Sequence, residues 1–163
     1  EPLFCSIDKY ADLVESAVQA LINHSGQQQV ALVGHSMGGL AIRAWLRANG
    51  TQRAACVLTL GTPHVGTQVP QHLKTQNGVQ MTWKSEWLDR LIRSESLSTH
   101  QLFQIALTPQ DNIVYPQRAQ VLPHVPATAF EGIGHLQMCL DPKVIQWLLD
   151  QLAQVGAKGN AVT

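Results

Sequence analysis

Three residues carry chemistry by their type and their setting: Ser36, Asp111 and His135. A serine hydroxyl is a weak nucleophile. It needs a base to take its proton, and the base needs an acid to orient it. Ser36 sits in Gly34-His35-Ser36-Met37-Gly38, a G-x-S-x-G pattern. The pattern places a serine on a sharp strand-to-helix turn, with small residues at minus two and plus two where strand and helix pass closely. The Met37 amide falls at the start of that helix. Unpaired donors and the positive dipole end there favour a developing oxyanion. The chemistry these groups suit is attack on an acyl carbonyl.

The elements that must position them are readable around them. Residues 29–33 form a short apolar run suited to a buried parallel strand. Leu40, Ala41, Ala44, Trp45 and Ala48 then recur at helical spacing, and Asn49-Gly50 closes the helix. Upstream, residues 6–24 read as a helix with Tyr10, Leu13, Val14, Ala17, Leu21 and Ile22 on its apolar face. Residues 53–60 read as a second buried strand, followed by the loop Gly61-Thr62-Pro63-His64-Val65-Gly66-Thr67. Helix, strand, helix, strand implies a parallel sheet flanked by helices.

Residues 68–101 break the rhythm. Trp83, Trp87, Leu88, Leu91, Ile92 and Leu97 recur at helical spacing, which predicts one or two amphipathic helices over the strand ends. They form a covering layer on the core, a lid whose apolar face lines a substrate pocket, or both. A third strand at 102–107 empties into Thr108-Pro109-Gln110-Asp111-Asn112, and a fourth at 127–131 into Gly132-Ile133-Gly134-His135. Asp141-Pro142 opens a last helix with Val144, Ile145, Leu148, Leu149 and Leu152 on its buried face; the tail frays from Gly156.

In open parallel sheets, functional groups gather beyond the carboxyl ends of the strands. That criterion selects Ser36, Asp111 and His135, which follow the first, third and fourth strands. The rival histidines fit less well. His35 is on the turn but faces the wrong way to serve as base, leaving a structural or rim role. His64 follows the second strand, where it can line the pocket. His124 lies at the entry end of the fourth strand, and His24, His72 and His100 lie on helices or connections. Among the acids, Glu131 is too near the base, Asp141 is an N-cap, and Asp89 and Glu95 lie on the insertion.

Composition narrows the classes. Hydrophobic residues at 45% and charged ones at 13% describe a globular chain, large enough for one domain over residues 1–163. Eleven basic and eleven acidic residues cancel, so no basic field points to nucleic acid. No apolar run approaches the ~18 residues that span a bilayer. Cys5, Cys56 and Cys139 are too few and too scattered for a zinc site; Cys56 is a core residue, and pairing of the other two stays open.

The elbow Gly34–Gly39, the run Leu60–Thr67, Asp111 after a strand and Gly132-Ile133-Gly134-His135 together resemble bacterial lipases and esterases of the α/β-hydrolase superfamily. The resemblance implies an α/β-hydrolase fold with a helical lid-like insertion at 68–101 and hydrolysis of carboxylic esters of small molecules or lipids. Ser36 would be the nucleophile, His135 the base, Asp111 its orienting acid and the Met37 N–H an oxyanion donor. His64 and Val65, with Trp83 and Trp87 of the insertion, are the expected substrate-binding residues. No cofactor is implied. Leu136-Gln137-Met138 follows His135 where secreted relatives carry a calcium-binding aspartate, so no metal is expected. The fold's early strands, and the H-G-rich loop that supplies a second oxyanion donor, have no counterpart upstream of Ser36. The expectation is therefore a C-terminal portion, with the missing N-terminal part of the same protein as its partner. Two alternatives stay open: acyl transfer or thioester hydrolysis with the same triad, and a non-catalytic scaffold or interaction module.

Overall fold

The computed structural model describes residues 4–69 and 74–160, with side chains to 156. His72 and part of the insertion lie outside the described residues. The first helix, α1 (Ile7–Ser25), starts at Ser6, whose hydroxyl accepts from the Asp8 amide. It ends at Gly26, in the left-handed conformation, whose amide donates to the Ile22 carbonyl. Strand β1 (Val30–His35), helix α2 (Met37–Asn49) and strand β2 (Ala54–Leu60) follow. Among its described residues the insertion holds three short helices: α3 (Gln76–Gln80), α4 (Glu86–Ser94) and α5 (Leu97–His100). Strand β3 (Phe103–Leu107), β4 (Ala127–Ala129) and α6 (Pro142–Asn160) complete the order, with single 3₁₀ turns at Gln117–Gln120 and Leu136–Cys139.

The four strands lie in the order β1-β2-β3-β4, all parallel. Every strand therefore points the same way, and the loops after β1, β2, β3 and β4 share one edge of the sheet. Successive side chains alternate between faces. Ile105 joins a core with α1, α2 and α4, while Ala106 joins a second with Leu60, Ile133, Met138 and Val144. Both faces of β2 and β3 are thus covered, as the sequence predicted.

Four expectations need correction. Strand β1 is buried on one face only: it is the sheet's edge, and Ala31 and Val33 are exposed. Helix α1 turns Ile7, Ala11 and Val18 inward and leaves Leu13, Ala17 and Leu21 exposed. In α6, Val144 is buried and Trp147 and Leu148 pack against the second core, but Ile145 and Leu149 are exposed. The helix also continues past Gly156 to Asn160. In both helices the apolar stripe is wider than the buried stripe. Periodicity reports the former; the neighbouring elements choose the latter.

The insertion is built into the main core. Leu88 and Leu91 of α4 are fully buried there. An ion pair fastens it: Arg43 of α2 forms a bidentate bond to Glu95 at 2.7 and 2.8 Å, with side-chain exposures of 0% and 4%. His100 Nε2 also bonds Glu95, at 3.0 Å. A charge inside a dry core is tolerated when its partner and remaining donors are satisfied. The third Arg43 donor meets this condition by bonding the His64 carbonyl at 2.7 Å.

Candidate active site

Ser36 sits between β1 and α2 with φ 53° and ψ −125°, a conformation L-residues rarely adopt. Its amide donates to the Leu60 carbonyl at 2.9 Å, so the turn is pinned to the end of β2. A Cβ on Gly34 would come within 2.6 Å of the Gly39 amide nitrogen, and one on Gly39 would collide with the Thr62 side chain. Gly38 would meet nothing. The close approach therefore needs glycine at 34 and 39, one residue later than the motif spacing suggests. Met37 is the first residue of α2, so its amide lacks an intrahelical acceptor.

Asp111 lies four residues beyond β3 in a turn, its side chain fully enclosed. Oδ1 accepts from the amides of Ile113 at 2.8 Å and Val114 at 2.7 Å. Oδ2 takes a bond of 2.7 Å from His135 Nδ1. Burial pushes the carboxyl up, but these donors outweigh it and hold it below the usual carboxylate range. Because Nδ1–H donates to a carboxylate, the neutral His135 ring carries its free lone pair on Nε2. Gly61, with φ 56°, makes room for the ring: a Cβ there would lie 3.1 Å from His135 Nδ1.

Ser36 and His135 thus both flank the Leu60-Gly61 pair, the serine through its amide and the histidine through its ring. Ser36 Oγ makes no hydrogen bond to the ring in this arrangement. Contacts at resting sites are often long and tighten once substrate binds. His35 is closer to the base than its position implied. Its Nε2–H donates to the His135 carbonyl at 3.0 Å, and the ring centroids are 4.7 Å apart. Burial keeps the His35 ring below its ordinary value despite the opposing pull of that bond and of Asp111.

The four expected substrate-binding residues separate into two pairs. Val65 and Trp83 line a cavity of about 580 Å³ together with Leu88 and Ile92. His64 is fully buried, with Nε2 3.0 Å from Thr59 Oγ1 and the ring edge-on to Phe103. Burial, then the nearby charge of Arg43 and His100, holds its ring well below the ordinary value. Trp87 is buried in the core, its Nε1–H donating to Asp8 at 3.0 Å. Neither lines that cavity; His64 Nδ1 is buried without a hydrogen-bond partner among the described residues. Among the rivals, Asp141 caps α6, its Oδ1 accepting from the Lys143 amide at 2.9 Å. All three cysteines are free.

Sequence reasoning missed the Arg43–Glu95–His100 cluster. A signal existed: Arg43 is the one charge in the apolar stretch Leu40–Leu46, at a position facing the core. It also missed Lys84 and Arg118, whose cations stand 6.0 and 5.5 Å from the Trp83 ring centroid. No local pattern joins Arg118 to Trp83, which lie far apart in the chain.

A parallel sheet covered by helices, with a strained serine elbow at its carboxyl edge, defines the α/β-hydrolase fold. Solved members of that fold superpose on it. A mature lipase of Bacillus licheniformis matches with a TM-score of 0.67 at 13% identity, over 80% of this chain and 68% of that one. Naproxen esterase of Bacillus subtilis matches with a TM-score of 0.55 at 15% identity, over 93% of this chain and 68% of that one. The model of the PGAP1-like alpha/beta domain matches residues 6–158, and the chain belongs to that family. A GPI inositol-deacylase of Phaeosphaeria nodorum is 31% identical over 104 residues, which cover 61% of this chain. The match takes in a tenth of that relative's length.

Proposed function

We propose that this chain carries the catalytic serine site of a hydrolase acting on carboxylic esters. The observation that carries the reading is the enclosed 2.7 Å bond from His135 Nδ1 to Asp111 Oδ2, which leaves Nε2 as the acceptor beside the serine elbow. Ser36 Oγ attacks the ester carbonyl as its proton passes to Nε2. The carbonyl oxygen becomes an oxyanion facing the Met37 amide. Collapse of this adduct breaks the ester C–O bond, and the alcohol leaves with the proton from His135. Water, deprotonated by the same nitrogen, then releases the acid and restores Ser36. The name of the Phaeosphaeria relative, a deacylase, describes removal of an acyl group and supports the same class of reaction.

The substrate side of the reading rests on the cavity lined in part by Val65, Trp83, Leu88 and Ile92, whose apolar side chains suit a lipid or another small ester. Labelling with a fluorophosphonate, followed by mass spectrometry, tests the nucleophile. The full-length protein is expected to carry one adduct, on Ser36, and to lose both labelling and ester hydrolysis in Ser36→Ala. An unlabelled Ser36 in a folded protein would overturn the proposal.

A further inference from the structure

The cavity beside Trp83 has a charge pattern that an ordinary acyl pocket does not need. Its floor is apolar, formed by Val65, Leu88 and Ile92. Its wall is Trp83, with the Arg118 guanidinium 5.5 Å and the Lys84 ammonium 6.0 Å from the ring centroid. Asp89 is the single acid of the lining and bridges to neither cation. Among the described residues, neither Lys84 nor Arg118 has a carboxylate within ion-pair distance. The exposed Lys84 and Arg118 thus give the lining two positive groups against one acid. In a chain of zero net charge this is a local excess, not part of a general basic field.

The backbone behind the wall is held by hydrogen bonds. Lys84 has φ 53°, a strained backbone for a lysine. Its amide donates to the Val65 carbonyl at 3.0 Å, and the Trp83 amide to the Thr67 carbonyl at 3.0 Å. Gly66 permits the approach, since a Cβ there would lie 2.5 Å from the Thr82 carbonyl oxygen. Arg118 comes from the stretch that begins at Asp111, and the Val65 amide bonds the Ala119 carbonyl at 3.2 Å. The cavity thus joins the insertion to the loops after β2 and β3, which leave the sheet at the edge that holds Ser36.

We propose that Arg118 and Lys84 form a subsite for a phosphate group carried by the substrate, with the apolar floor taking the carbon skeleton next to it. A planar guanidinium and a flexible ammonium suit a phosphate dianion, the first by paired N–H bonds and the second as a point charge. This assignment rests on the ester-hydrolase reading for the word substrate, and on the cavity alone for the phosphate.

The test uses the full protein and two esters of equal acyl length, dihexanoylphosphatidic acid and uncharged dihexanoylglycerol, each kept monomeric. The ratio of kcat/KM for the charged ester over the neutral one is expected above one. It should fall about tenfold in Arg118→Gln, further in Arg118→Gln with Lys84→Gln, and less in Arg118→Lys. Arg90→Gln, an exposed α4 cation paired with Glu86, should leave the ratio unmoved. A wild-type ratio at or below one, or a ratio indifferent to Arg118→Gln, overturns the subsite. Calorimetry on Ser36→Ala separates this idea from the catalytic one. The charged ester should bind about tenfold more tightly than the neutral one, and Arg118→Gln should abolish the difference, whether or not the wild type hydrolyses either. Equal binding overturns the subsite. Inorganic phosphate that binds as tightly as the phosphatidic acid, and loses that binding in Arg118→Gln, overturns the assignment to substrate and makes this a site for a free anion.

Discussion

His35 Nε2–H donates to the His135 carbonyl at 3.0 Å, and the two rings stand 4.7 Å apart with planes tilted by 45°. The residue before the elbow serine therefore braces the residue that would be its base. Asp111 holds the far side of the His135 ring, and His35 holds its backbone. His35→Ala should lower kcat on a soluble ester about tenfold with KM little changed, because small misplacements of a catalytic group are costly. His35→Gln, which keeps a donor, should retain much of the rate. Unchanged kcat in His35→Ala would show that the contact positions nothing.

Ser36 stores strain at φ 53°, ψ −125°. Ser36→Gly should end activity and raise unfolding stability by about 1 kcal/mol, as the gain from relieved strain exceeds the entropy glycine adds to the unfolded chain. Ser36→Ala should end activity without that gain, since alanine keeps the Cβ. Urea unfolding of both variants checks this. A Ser36→Gly protein no more stable than Ser36→Ala would show a relaxed turn.

Asp111 is held below the usual carboxylate range, so its charged form stabilises the native state above the unfolded pKa of about 3.9. That contribution is lost as pH falls through the lower folded value. Asp111→Asn should flatten this acid limb in pH-dependent unfolding. It should also reduce kcat by about 10⁴-fold, because the amide no longer selects the Nδ1–H tautomer. Near-normal turnover would point to another acid.

Arg43 and Glu95 are both enclosed, and each would be stranded without the other. Glu95→Ala should destabilise by about 3–5 kcal/mol, and an apolar pair at 43 and 95 should recover most of the loss. The double variant decides the matter by thermal and urea unfolding. A Glu95→Ala protein as stable as the wild type would mean the pair adds nothing.

His64 contributes a second pH dependence. Its enclosed ring is held well below the ordinary value by burial, then by Arg43 and His100. The native ring stays neutral while the unfolded one gains a proton below about pH 6.5. Stability is complete above that pH and falls as pH drops toward the folded value, by about 1.4 kcal/mol per unit for one proton. His35, also held low, acts in the same direction. Unfolding measured between pH 7.5 and 5.5 should show a shallower slope in His64→Gln. Parallel slopes would remove His64 from the account.

Much of the scaffold was legible because its signals are local. Ser6 and Gly26 mark the ends of α1 by capping, and Asp141-Pro142 marks the start of α6. Apolar runs mark β1, β2 and β3, and the G-x-S-x-G turn marks the elbow. The chain order of serine, acid and histidine, with each set after a strand, followed from the same runs. Parallel topology then required all three to lie at one edge.

What tertiary structure alone decided are the contacts between residues distant in the chain. It turned Leu13, Leu21, Ile145 and Leu149 outward, because no element covers that part of each apolar stripe. It moved the second obligatory glycine from 38 to 39, where Thr62 closes against the helix. It buried His64 and Trp87, which the sequence alone set beside a pocket, and brought Arg118 to Trp83 instead. Arg43 met Glu95 across 52 positions, and His135 met Asp111 across 24. Sequence periodicity states which way a side chain points from its own element. Which group it meets depends on how the elements pack, and that is settled by burial and pairing over the whole domain.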